Sequence, residues 1–313
     1  MCVLSGCGLS SNHYLLIDQS LAAHDARRAD AIMAEAESEY GPRNRLLYSM
    51  DRGMTLHLAG EYMQSNARLE AAAQEVERLY TRTIRTETAA FLTNDNVLPY
   101  EGDSYEHVMI NIIKALNYAA MGQLMEAVVE ARQIDHRLNV LSDSAKEKDG
   151  YREDAFARYL TGVLYESTGD LNNAFIAYRK AYEIYDATKA WARTPMPPML
   201  RADLLRTTDA LHMTAEFEEY RRQFPDTGWV SLQGQPDLAQ VVVIGYNGRA
   251  PRKEEVHLDI PVSLGALQLV LLNRGVIHAS NRQERRVADS VLYGLNGRVV
   301  RVALPRLVPQ KTQ

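Results

Sequence analysis

Reactive side chains are plentiful in this sequence but never stand at the spacing catalysis requires. The histidines, His13, His24, His57, His107, His136, His212, His257 and His278, are scattered and never fall at the i, i+4 spacing with which one helix face holds a metal ion. No serine stands in a Gly-x-Ser-x-Gly elbow, and both cysteines, Cys2 and Cys7, lie at the very start, so the usual settings of a catalytic nucleophile are missing. Glu35, Glu37 and Glu39, like Glu216, Glu218 and Glu219, fall in helical stretches and read as solvated faces rather than as the facing acids of a glycosidase. Gly245-Tyr-Asn-Gly248 and Gly294-Leu-Asn-Gly297 lack the Gly-Lys-Ser/Thr that opens a phosphate-binding helix. These patterns point away from an enzyme, and neither a cofactor nor a metal is expected. Binding chemistry is left. Arg249, Arg252 and Lys253, with Arg282, Arg285 and Arg286, form a basic group suited to an anionic polymer such as peptidoglycan or another polysaccharide. It has no interleaved aromatics, which argues against nucleic acid.

One residue is placed for covalent modification. Leu4-Ser5-Gly6-Cys7 resembles a bacterial lipobox, and Gly8-Leu9-Ser10-Ser11-Asn12 reads as the polar tether between an acylated cysteine and a folded domain. No aspartate follows Cys7, the feature that tends to retain such proteins at the inner membrane of enteric bacteria. Only Met1-Cys2-Val3 precede the motif, whereas a secretion signal needs a basic segment and an apolar stretch of about 7 to 15 residues. Two readings compete: a lipoprotein whose recorded start lies downstream of its signal, or a cytoplasmic protein with a chance LSGC. The expectation carried forward is the first, with Cys7 lipidated at the periplasmic face of the outer membrane. The anchor would then be a lipid alone, since no run of about 18 apolar residues is present to span a bilayer.

The elements that must position any site are mostly helical. Residues 14 to 224 show apolar residues at three-to-four spacing, punctuated by Gly, Asn and Asp. Aligned on a turn glycine, three stretches repeat one pattern around Gly60, Gly122 and Gly169. A small residue stands seven before the turn (Gly53, Ala115, Gly162) and another five after it (Ser65, Ala127, Ala174). Leu56, Tyr118 or Tyr165 stands four before it. Two helices crossing closely need small residues where their backbones meet, and a bulky ring wedges the next helix into place. The pattern resembles the tetratricopeptide repeat (TPR), although the turn glycines are 62 and 47 residues apart against a tandem period of about 34. Residues 196 to 224 read as a degenerate closing hairpin with a polar capping helix.

The larger insertion holds Phe91-Leu-Thr-Asn94-Asp95-Asn96-Val-Leu-Pro99-Tyr100-Glu101-Gly102, whose turn formers break helical periodicity. It reads as a loop on a rigid scaffold, with Asp103 or Ser104 capping the next helix. After Pro225 the pattern turns to β, with strands expected at 240–246, 255–260 and 267–272 and a hairpin over 291–302 about Asn296-Gly297. The sequence stops soon after that strand, so the β part is expected to be incomplete. Charge divides the same way. Residues 240–313 carry 11 Lys/Arg against 5 Asp/Glu, while the remaining 24 Lys/Arg and 35 Asp/Glu make residues 1–239 acidic.

Taken together, the lipobox-like start, FLTNDNVLPYEG, MINIIKALNYAAMG, GDLNNAFIAYRKAYEIY and VVVIGYNGRAPRKEEV look like a bacterial family of TPR lipoproteins. The resemblance covers nearly the whole chain. It implies envelope work, because members are often encoded beside small lipoproteins of the penicillin-binding-protein-activator type, and it carries no established catalytic residue. The expected organisation is a start and tether over 1–13, a mainly α TPR-like solenoid over 14–225 and a smaller β-rich domain over 226–313. The expected function is a non-catalytic adaptor for a protein partner in the envelope, such as a small lipoprotein, with polysaccharide binding through Arg249, Arg252 and Lys253 as the alternative. The expected partner-binding residues are Asn94, Asp95, Asn96, Tyr100 and Glu101 of the loop, with Asn111, Lys114, Asn117 and Tyr118 of the helix that follows. Replacing Asn111 and Asn117 together should, on this reading, weaken partner capture without lowering the melting temperature.

Overall fold

The computed structural model describes residues 12–86, 99–143, 153–188, 195–232, 241–245, 252–261 and 299–308. Two compact units divide the chain, Met1–Leu238 and Ala239–Gln313. The first contains α1 (Asn12–Ala22), α2 (Ala26–Glu35), the short α3 (Glu37–Tyr40), α4 (Arg45–Leu58), α5 (Tyr62–Thr86), α6 (Ser104–Ala120), α7 (Leu124–Asp143), α8 (Ala155–Ser167), α9 (Leu171–Thr188), α10 (Met199–Ala210) and α11 (Thr214–Gln223). Among the described residues they form five helical hairpins, α1/α2, α4/α5, α6/α7, α8/α9 and α10/α11, and the second helix of each packs on the first helix of the next.

One cap closes all five. The turn residue is left-handed in each, with φ of 59° at His24, 80° at Gly60, 73° at Gly122, 80° at Gly169 and 56° at His212. Its N–H donates to the carbonyl three residues back, at Leu21, His57, Ala119, Glu166 and Asp209. The following N–H donates five residues back, to Ser20, Leu56, Tyr118, Tyr165 and Thr208. This double bond pattern satisfies the carbonyls that a helix end leaves open. The three glycine turns agree with the sequence pattern, and so does the closing hairpin over 196–224. Histidine at the left-handed position of the first and last hairpins is what the glycine pattern cannot register.

The small residues do the work expected of them. A side chain at Gly53 would meet Leu69 Cδ2 at 2.6 Å, and one at Gly162 would run into the Tyr178 ring, so each glycine lets its hairpin partner close in. Ser65, which stands where three of the other hairpins have Ala29, Ala127 and Ala174, is fully buried and donates its hydroxyl to the Gly53 carbonyl at 2.7 Å. Two apolar clusters bind the hairpins together. Leu46, Leu69, Val76, Leu79, Ile110 and Ile113 join α4, α5 and α6. Ile17, Ala29, Met33, Tyr40 and Tyr48 join α1 through α4.

In the second unit, β1 (Arg252–Pro261) and β2 (Val299–Val308) pair antiparallel, with Arg252 opposite Val308 and Pro261 opposite Val299. The expected strand at 255–260 lies inside β1. Residues 241–245 carry no strand, and Val241 and Val243 are largely exposed; a β-prone run with no neighbour to pair with gains nothing from its propensity. The segment 267–272, residues 291–298 of the expected hairpin and its Asn296-Gly297 turn lie outside the described residues. Beyond this pair, the described residues do not support a β-rich domain.

Candidate partner-binding face

The residues expected to meet a partner begin at the mouth of α6. Asn94, Asp95 and Asn96 lie outside the described residues. Tyr100 is pinned: its backbone N–H donates to the Arg43 carbonyl at 3.0 Å, and its hydroxyl donates to Glu106 Oε2 at 2.7 Å. The same Glu106 oxygen accepts from the Asp103 N–H at 2.7 Å and closes a capping box at the start of α6, so Asp103 is the N-cap. Tyr100 packs against the α4–α6 cluster, and the exposed Glu101 presents its carbonyl to His107 Nε2 at 2.8 Å. This end of the loop is a clamp on α4 and α6.

Further along α6, the structure corrects the expected display of Asn111, Lys114 and Asn117: all three are buried between helices. Asn111 donates to Glu130 Oε2 of α7 at 2.7 Å and accepts from Arg137 Nε at 2.9 Å. The Lys114 ammonium sits 2.8 Å from both Glu70 of α5 and Glu130 of α7. Burial alone would lower its pKa, but the bonds to Glu130 and Glu70 outweigh that and raise it. In turn the Lys114 bond pulls the Glu70 carboxyl below the usual range. Asn117, with no exposed surface, donates to Ser65 Oγ and Asn66 Oδ1 at 2.8 Å each and accepts from His57 Nδ1. A helix buried on several sides must satisfy its polar groups internally, so these residues join two hairpins, α4/α5 and α6/α7, and present almost no surface to a partner. Their joint replacement by alanine is therefore expected to lower the melting temperature. Tyr118 is half-buried.

Similar polar knots recur along the stack. Asp51 of α4 accepts from the Tyr40 and Tyr14 hydroxyls at 2.7 and 2.8 Å, which ties α1 and α3 to α4. Burial raises the Asp51 carboxyl, and the two tyrosine bonds only partly oppose it. Arg158 of α8 is completely buried, bonded to Asp135 and Asn139 of α7 and to Glu153. Arg206 of α10 meets Glu166 of α8 at 2.8 and 2.9 Å and Asp203 at 2.7 Å, with the Tyr159 hydroxyl donating to Asp203 at 2.9 Å.

The large apolar side chains that α6, α8 and α10, the first helices of three hairpins, leave exposed fall at one repeat position. Thirteen residues before the last four turns stand Leu47, Met109, Phe156 and Met199, and the last three are 42, 36 and 52% exposed. Seven residues on, Met54, Leu116 and Val163 are only partly buried, and between the two rows lie the partly buried Met50 and Tyr159. Positions i, i+3 and i+7 share one helix face, and equivalent positions of stacked hairpins make a row. The row was legible in the sequence once the hairpins were aligned on their turns, but attention to polar residues passes over it.

Elsewhere, Arg252 and Lys253 open β1, while Arg249 and Cys7 lie outside the described residues. Among the described residues, no group of three or more His, Cys, Asp and Glu is placed to hold a metal ion, and no helix is long and apolar enough to cross a membrane.

No protein-family model matches the chain, and no curated protein matches it. Solved structures similar to it include the nearly identical TPR-like repeats of a kinesin-light-chain-type protein of Podosopora anserina, at 13% identity and a TM-score of 0.44 over 71% of this chain and 96% of that one. The MamA protein is similar at 12% identity and a TM-score of 0.41 over 74 and 97%. The Rap conjugation regulator of plasmid pLS20, solved in complex with the Phr* peptide, is similar at 14% identity and a TM-score of 0.38 over 69 and 55%. The repeat assignment rests on the five capped hairpins of this chain itself.

Proposed function

We propose that this chain is a non-catalytic scaffold that holds a segment of a protein partner along the face of its first helices, tethered by a lipid on Cys7 to the periplasmic side of an outer membrane. The exposed row Met109, Phe156 and Met199 carries the reading. Three large apolar side chains at one repeat position cost solvation free energy unless something covers them, and a row of that kind marks an interaction surface. Asn111, Lys114, Asn117, Arg158 and Arg206 of the same helices are engaged inside the stack, which makes the wall rigid and leaves the row as the surface for recognition. The tether is supported by Leu4-Ser5-Gly6-Cys7 and the polar residues after it.

A crosslinking pull-down from the native host, with the gene extended upstream to any in-frame start, tests both parts. The expected result is an envelope protein captured by the wild type and lost with Phe156→Ser, together with a mature N-terminus whose mass shows acylated Cys7. Unmodified Met1 with cytoplasmic partners would reject the tether and keep the scaffold. Undiminished capture by Phe156→Ser would reject the row.

A further inference from the structure

The chemistry of the partner segment can be narrowed further. Resting on the scaffold reading, we propose that the segment is a cationic amphipathic one, laying an apolar side on the row and leaving a basic side at its margin. Three cations of the first helices are committed inward, Lys114 to Glu70 and Glu130, Arg158 to Asp135 and Glu153, and Arg206 to Glu166 and Asp203, while Arg45 at the start of α4 and Arg201 near the start of α10 are exposed. Arg52 of α4 donates to the Tyr48 hydroxyl and lies 3.5 Å from Asp30, and Arg201 of α10 stacks over the Phe224 ring. In the middle of the row, beside Met109 and Phe156, a segment bearing a carboxylate or phosphate would have to draw Lys114 or Arg158 out of the stack, and loss of Lys114 would leave Glu130 buried without its counter-charge.

Two further observations give the sign of the partner. The row is apolar from hairpin to hairpin, and its methionines adapt to the shape of an apolar side chain laid on them. Beside the middle of the row, the starts of α6 and α8 carry carboxylates, Glu101 and Glu106 before Met109 and Glu153 and Asp154 before Phe156, all at least partly exposed. Residues 1–239 as a whole hold 35 Asp/Glu against 24 Lys/Arg, so the surrounding field draws in a basic segment. An apolar stripe with an acidic margin is complementary to an amphipathic helix whose polar side is lysine or arginine.

The full-length chain, titrated with labelled synthetic peptides of about five helical turns, decides the matter. One peptide places leucine on a single helix face with lysine opposite; a second scrambles that composition out of helical period; a third replaces every lysine by glutamate. The ordered Leu/Lys peptide is expected to bind at least about tenfold more tightly than either other. The variant carrying Phe156→Ser and Met199→Ser should lose about tenfold of that affinity at an unchanged melting midpoint. Equal binding of the scrambled peptide would reduce the effect to net charge and overturn the proposal. Tighter binding of the Leu/Glu peptide that still depends on Phe156 would overturn it while sparing the scaffold reading. If no peptide responds to Phe156 and the pull-down is likewise indifferent to it, both fall.

Discussion

His24 and His212 hold a left-handed backbone that costs an L-residue about 1–2 kcal/mol, while glycine adopts it freely. Both side chains are exposed, so His212→Gly should raise stability by up to about 1 kcal/mol, and Gly169→Val should lower it by about 1–2 kcal/mol, read from denaturant midpoints. Three of the five turns were legible because glycine marks them; the other two carry the same cap on a residue that gives no such mark. The buried polar residues make sharper tests. Lys114→Met leaves Glu130 buried without its counter-ion and should cost about 3–5 kcal/mol, much of it restored when Glu130→Gln is added. Asp51 titrates in the opposite sense to most carboxylates. Its folded-state pKa lies above the unfolded value, so its contribution to stability grows as pH falls through the folded value. The wild type should therefore gain on Asp51→Asn as pH drops from neutral into the mildly acidic range; a difference that stays flat would show that burial does not govern this carboxyl.

At the scale of elements, Asn111 and Asn117 show why a helical asparagine misleads. Single asparagines in helices usually face solvent, but Asn111 lies in Val108-Met-Ile-Asn-Ile-Ile113, apolar nearly all round, which is the mark of a helix buried on several sides. The signal was in the neighbours rather than in the residue. The irregular spacing of the turns has two sources: the second helices α5 and α7 run to 25 and 20 residues, and further residues fall between one hairpin and the next. Within a hairpin the tolerance is small. Gly162→Val should overpack Tyr178 and cost about 1–3 kcal/mol, measurable as a lower melting temperature; no loss would mean that α8 and α9 part easily. At the C-terminal end, the strand expected at 255–260 lies inside β1, whereas the described residues 241–245 of the one expected at 240–246 carry none. Strand formation depends on a pairing neighbour, which the local sequence does not reveal.

For the whole molecule, the division of charge bears on the proposed partner, because the helical part of the sequence is acidic and Lys114, Arg158 and Arg206 beneath the apolar row are turned inward. That row is where the account is most exposed to test. A photo-crosslinking residue placed in turn at Met109, Phe156 and Met199, and at Val140 and Ile176 on the second helices as equally exposed apolar controls, maps partner contact in the native host. The account predicts one crosslinked partner at the three row positions and none at the two controls. Crosslinking at the controls with silence along the row would contradict it.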